Sequence, residues 1–113
     1  MLQDNLALIE VTLRSLKSRK PQEFQHMVDQ FVQARTRYVK LNFKETCTIL
    51  QNCKETPIKK LASLLAWLDQ CSQREETIYQ RLGLPIEWCT EQVFDSSFLK
   101  IVKKNVDAEI KAV

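Results

Sequence analysis

Few residues in this chain have the types and spacing that chemistry needs, and each has a plain structural alternative. His26 is the only histidine. An exposed imidazole on a helix can accept a phosphoryl group, and positive charge close by would stabilise the product. The residue three positions on is Asp29, so the local field opposes that chemistry and a solvated first-turn histidine is the simpler reading. The cysteines, Cys47, Cys53, Cys71 and Cys89, contain no Cys-x-x-Cys pair of the kind zinc sites use. They are expected to be reduced thiols, each in a helix, with Cys53 and Cys71 on apolar faces where free cysteine acts as a small hydrophobe. No Gly-rich phosphate loop, Glu-x-x-His metal pair or workable Ser/His/Asp set occurs. The sequence therefore predicts no catalytic residue, no metal ligand and no cofactor.

Three further patterns bear on partners. Arg19 and His26 have a spacing that resembles the Arg-x6-His motif of the HEPN ribonucleases, which are small helical domains. That motif needs both side chains in one frame, whereas Lys20-Pro21 assigns them to different helices. Leu61-x-x-Leu64-Leu65 has the spacing of a helical LxxLL box, but any amphipathic helix repeats leucine this way. Arg35, Arg37, Lys40 and Lys44 form a basic run, and Lys100, Lys103, Lys104 and Lys111 decorate the last helix. These could meet nucleic acid, although acids stand near each cluster and no aromatic residues interleave them.

The element that positions everything else is Thr56 to Gly83. Thr56 can cap a first turn, Pro57 suits the first helical position, and Gly83 followed by Pro85 ends the run. Ile58, Leu61, Leu64, Leu65, Leu68, Cys71, Ile78 and Leu82, with Trp67 and Tyr79, cover roughly half of a helical wheel, so this helix must touch more than one neighbour.

Before it, a helix over about Gln3–Arg19 carries Leu2, Leu6, Ile9, Leu13 and Leu16 in alternating steps of four and three, a narrow seam expected of a peripheral helix. A second helix begins at Pro21 and can reach Cys53, with Phe24, Met27, Val28, Phe31, Val32, Tyr38, Val39, Phe43, Ile49, Leu50 and Cys53 along its stripe. The weakest place in it, open to a kink, is around Asn42. After Gly83, PIEWCTEQVF predicts a short helix and Asp95-Ser96-Ser97 a break with a cap. A last helix then places Phe98, Leu99, Val102, Val106, Ile110 and Val113 on one face.

Three polar residues, Arg35, Asn42 and Thr46, interrupt the second helix's apolar face, and Glu75 interrupts the third's. The turn between these helices centres on Glu55. Folding back there as an antiparallel pair sets Arg35 beside Glu75, each twenty residues from the turn, and a charge on a packed face is tolerated when paired. The alternative is that both side chains snorkel to solvent at the rim.

Composition agrees with helices throughout. The chain has 113 residues, one glycine and three prolines, and each proline stands where a helix would begin. The net charge of +3 is spread along the chain rather than gathered into a nucleic-acid footprint. The N-terminus reads as no targeting segment, and the run LASLLAWL is short of the roughly 20 residues a membrane span needs.

The expectation is an all-α, antiparallel four- to five-helix bundle built on a long helix 2–helix 3 hairpin, one domain over 1–113, cytoplasmic and not an enzyme. The long hairpin should overhang the bundle and show apolar surface near Phe43, Ile49, Leu50, Ile58 and Leu61, with Trp67 and Trp88 as further anchors. The expected function is protein–protein interaction, as an adaptor, chaperone or regulatory subunit meeting another protein or a second copy of itself. The alternative is a nucleic-acid-associated regulator using Arg35, Arg37, Lys40 and Lys44.

Overall fold

A computed structural model describes the backbone of residues 2–112 and the side chains of residues 5–112. The described residues form five helices and no strand: α1 (Leu2–Arg19), α2 (Pro21–Asn52), α3 (Pro57–Arg81), α4 (Ile86–Val93) and α5 (Ser96–Ala112). None of these helices is long and apolar enough to cross a membrane.

The helix ends follow from local chemistry. Thr56 Oγ1 accepts the Lys59 backbone N–H at 3.3 Å, and Pro57 opens α3. At the other end Gly83 has a φ of +70°, which a residue with a Cβ rarely adopts. Its N–H donates to the Gln80 carbonyl at 3.1 Å and that of Leu84 to the Tyr79 carbonyl at 2.9 Å, a Schellman ending. Pro85 precedes the first residue of α4. Asp95 caps α5: its Oδ1 accepts the Phe98 N–H at 2.8 Å.

The second helix is continuous through Asn42. It runs unbroken for 32 residues, about 48 Å at 1.5 Å per residue, and the three polar interruptions of its apolar face are all satisfied. Arg35 meets Glu75; Asn42 Oδ1 accepts the Trp67 indole N–H at 3.0 Å; Thr46 Oγ1 donates to the Asn42 carbonyl at 2.9 Å. Climbing α2 from Arg35 to Asn42 thus descends α3 from Glu75 to Trp67. Cys53 lies just past the helix, in an extended conformation, so it is not helical as expected. Its thiol still finds a partner in the Leu50 carbonyl at 3.1 Å.

The closest helix packing is between α3 and α5, while α1 and α4 both lie on α2. The backbones of α2 and α3 approach each other less closely, because Arg35, Phe43, Trp67 and Tyr79 fill the space between them. The core comprises Leu13, Val39, Phe43, Cys71, Tyr79, Cys89, Val93 and Phe98, with Leu6, Val28, Val32, Leu64, Ile78, Leu82 and Leu84 around them. Phe98 joins α5 to it by an edge-on contact with Phe43 at 5.4 Å.

Several residues of the expected apolar stripes are not in this core. Tyr38, Ile49, Ile58, Leu65, Leu99 and Ile110 are all exposed. For Tyr38 and Ile49, on α2, length contributes: folding back from Lys20, the 18-residue α1 spans about 27 Å and can reach only to about Tyr38, while the opposite side of α2 stays buried through Val39 and Phe43. The side chain of Leu2 and all of Val113 lie outside the described residues.

The resulting shape is long and flat, 55 × 27 × 17 Å, with a radius of gyration of 16.7 Å. A compact chain of this length would have roughly 13 Å. The accessible surface is 7859 Å2, where a compact monomer of this mass would show roughly 6,450 Å2.

Candidate interaction surfaces

At the centre of the molecule Arg35 Nε donates to Glu75 Oε1 at 3.0 Å and Nη2 to Oε2 at 2.5 Å, a two-pronged ion pair. The Tyr79 hydroxyl donates to Glu75 Oε1 at 3.4 Å, and the Arg35 guanidinium lies 4.6 Å over the Tyr38 ring. Glu75 is completely buried and Arg35 is 7% exposed, so neither side chain reaches solvent at the rim. Burial alone would lower the Arg35 pKa, but the hydrogen bond and charge of Glu75 outweigh it and hold the group above its ordinary value. Burial, helped by the Glu75 charge, pushes the Tyr79 phenol well above its usual range.

This pairing corrects one of the expected basic contacts. Arg35 cannot contact a nucleic acid because its donors are committed to Glu75 inside the core. Lys40 is also engaged, at 3.2 Å from Asp95. Arg37 and Lys44 are exposed and on the outer side of α2. On α5, Lys100, Lys103, Lys104 and Lys111 line one shallow face together with Asp107.

The expected apolar contact surface also divides. Phe43 is fully buried, with the Trp67 ring tilted against it and the Phe98 ring edge-on, so it is core and not contact surface. Phe98 of α5 packs edge-on against its ring, while α5 as a whole lies on α3. Ile49 and Ile58 are exposed, at 67% and 63%, whereas Leu50, Leu61 and Trp67 are half-buried. Trp88 is half-buried at the far end of the molecule, beside Pro85 and Leu84, so the structure does not bring it together with the others.

Tyr38 and Leu41 belong with the exposed residues instead. Met27, Phe31, Ala34, Tyr38, Leu41, Glu45 and Ile49 follow one another at steps of four and three, a single side of α2. Its first members are half-buried and its last apolar ones exposed. The spacing was visible in the sequence; what it lacked was the point at which cover stops. Leu8 and Val11, one turn apart on the outer face of α1, are exposed as well.

The remaining candidates stay separate. Arg19 ends α1 and His26 lies in α2, both exposed. In the LxxLL-spaced run Leu64 is buried, Leu61 half-buried and Leu65 exposed, as for a helix that is already packed. All four cysteines are free, and burial pushes the thiols of Cys47, Cys71 and Cys89 above their ordinary range, with Glu109 adding to the effect at Cys47. A raised thiol is a poor nucleophile at neutral pH. Among the described residues no three His, Cys, Asp or Glu side chains converge as metal ligands. Comparison with protein families, curated proteins and solved structures finds no match to this chain.

Proposed function

We propose that this chain is a non-enzymatic interaction module, an antiparallel five-helix bundle on an α2–α3 hairpin, that works in the cytoplasm by presenting helix faces to a protein partner. The observation that carries this reading is the uncovered side of α2. A packed helix face that continues past its cover, with Tyr38, Leu41 at 59% exposure and Ile49, is what a partner helix can lie against. The accessible surface exceeds that of a compact monomer by about 1,400 Å2, and a standard interface takes about 800 Å2 from each partner. A second copy of the chain is one such partner, and an adaptor, chaperone or regulatory subunit would use the same face on a different one.

The alternative reading, a nucleic-acid-associated regulator, is left with Arg37, Lys44 and the four lysines of α5, since Arg35 and Lys40 are engaged within the molecule. Light scattering at low and at about 0.5 M salt separates the two, because screening weakens charge contacts and spares apolar ones. The interaction reading expects self-association, or capture of a helical partner, that survives the salt and is abolished by Leu41→Glu or Ile49→Glu with the melting temperature unchanged. A monomer whose only measurable affinity is a salt-sensitive one for DNA or RNA would overturn it.

A further inference from the structure

The end of the molecule opposite the uncovered α2 face holds a cleft with a different character. It begins at Gly83, whose positive φ turns the chain so that Leu84 is buried and Pro85 and Trp88 stand beside it. From the other side, the one-residue connection at Lys20 brings Lys17 of α1 close to Phe24 of α2. Between them lies an open cleft of about 480 Å3, with Val28 and Leu84 as its buried apolar lining and Phe24 and Trp88 as its aromatic residues. A Cβ placed on Gly83 would meet nothing within 4 Å, so the free space extends to the backbone of the turn. A smaller hollow of about 200 Å3 adjoins it and shares Lys17, Phe24 and Gly83.

The charges around this space are unbalanced. Lys17 is the only charged residue lining the larger cleft, and among the described residues it has no ion-pair partner. In the adjoining hollow Arg14 and Arg81 share one carboxylate, Glu10, at 3.0 and 3.6 Å. Of the acids nearby, Glu23 pairs with Lys20 at 3.7 Å, Asp29 accepts the Gln25 amide at 2.9 Å, and the exposed Glu87, next to Trp88 in sequence, does not line either space. Three cations therefore face one acid around an aromatic cleft whose volume falls in the range of small-molecule sites, about 300–1,000 Å3. Aromatic side chains offer dispersion contact to an apolar body, and an unpaired ammonium at the rim favours a negative head group.

We propose that this cleft binds a small apolar anion, an aromatic or medium-chain carboxylate, with its body between Phe24 and Trp88 and its carboxylate on Lys17. One free cation beside a single apolar cleft suits one amphiphile of this kind. The site is independent of the α2 face and of the interaction reading.

The test is titration of the nitrogen-15-labelled full chain with decanoate below its micellar concentration, with 2-naphthoate, and with decyltrimethylammonium as the cation of matching chain length. Saturable binding is expected for at least one of the two carboxylates, with amide shifts confined to Lys17, residues 24–28 and 83–88, and the Trp88 indole N–H. Decyltrimethylammonium should bind at least about tenfold more weakly. Lys17→Glu, an exposed position, should weaken the carboxylate by about tenfold or more without moving the melting temperature, while Lys104→Glu on α5 should leave it unchanged. Equal binding of the anionic and cationic probes, shifts centred on Leu41 and Ile49, or no saturation by either carboxylate at millimolar concentration would each overturn the proposal.

Discussion

The buried ion pair gives the most decisive test of how this fold is held together. Replacing Glu75 by leucine puts an apolar side chain of similar shape in its place and removes the carboxylate that pairs with the Arg35 guanidinium, which is 7% exposed. It also takes the Tyr79 hydroxyl's acceptor. Stranding a buried charge in this way costs about 3–5 kcal/mol. For a chain of this size about 1 kcal/mol corresponds to about 4 °C, so the melting temperature should fall by about 12–20 °C.

Arg35→Met alone should cost a similar amount, because it leaves a completely buried carboxylate. The double variant Arg35→Met/Glu75→Leu removes both charges together and their desolvation with them, so it should recover at least about 3 kcal/mol of that loss and could exceed the parent protein. Urea unfolding of the four proteins, followed by far-ultraviolet circular dichroism, measures all of this in one cycle. If Glu75→Leu cost less than about 1 kcal/mol, the value of a solvated pair, the reasoning from burial would be refuted. A double variant as damaged as the sum of the single ones would refute the pairing itself.

Other positions give smaller, independent effects. Asp95→Ala should cost about 1 kcal/mol at neutral pH through loss of the α5 cap. The Phe98 N–H, and then Lys40, hold the Asp95 carboxyl below its ordinary pKa, so its contribution is fully present above the ordinary carboxylate range and is lost as pH falls through the depressed value. The gap between Asp95→Ala and the parent should therefore narrow in urea melts at pH 3 compared with pH 7. Gly83→Ala should cost about 1–2 kcal/mol although the added Cβ touches nothing, because the strain is in the backbone at φ +70°. A loss below about 0.3 kcal/mol in the same melts would show that the turn adapts. Cys71 and Cys89 should resist a disulfide reagent in the folded protein and react once it is denatured, read as thiols titrated before and after urea.

Much of the helical architecture could be read from the sequence, since the signals that set helix ends are local. Thr56-Pro57, Gly83 and Asp95 each act within a few residues of themselves, and each is found satisfied by the backbone group that its chemistry predicts. The Arg35–Glu75 approach was legible for a different reason. A charge on an apolar face demands a partner, and a turn at a known place names which residue that partner can be. The burial of Phe43 was not legible. Whether a stripe residue is core or surface depends on which neighbour covers it, and the α5 contact through Phe98 joins residues 55 positions apart that no period connects.

Tyr38 shows where the wheel misleads. It lies on the stripe of α2 by spacing, and its ring does receive one packing partner, the Arg35 guanidinium. Yet the side of α2 that runs from Met27 to Ile49 is exposed from Ala34 onward, and α1, at 18 residues against the 32 of α2, cannot reach past about Tyr38. Periodicity names the face; the reach of the neighbouring helices bears on how much of it meets water. The same arithmetic explains the shape: a 32-residue helix accounts for about 48 Å of the 55 Å long axis, and no other helix in the chain can match it. A long helix whose apolar side outruns its neighbours gains nothing from that side in the isolated molecule. It gains on contact with something else, and so Leu41 and Ile49, more than any titratable group, are where a binding function for this fold should first be sought.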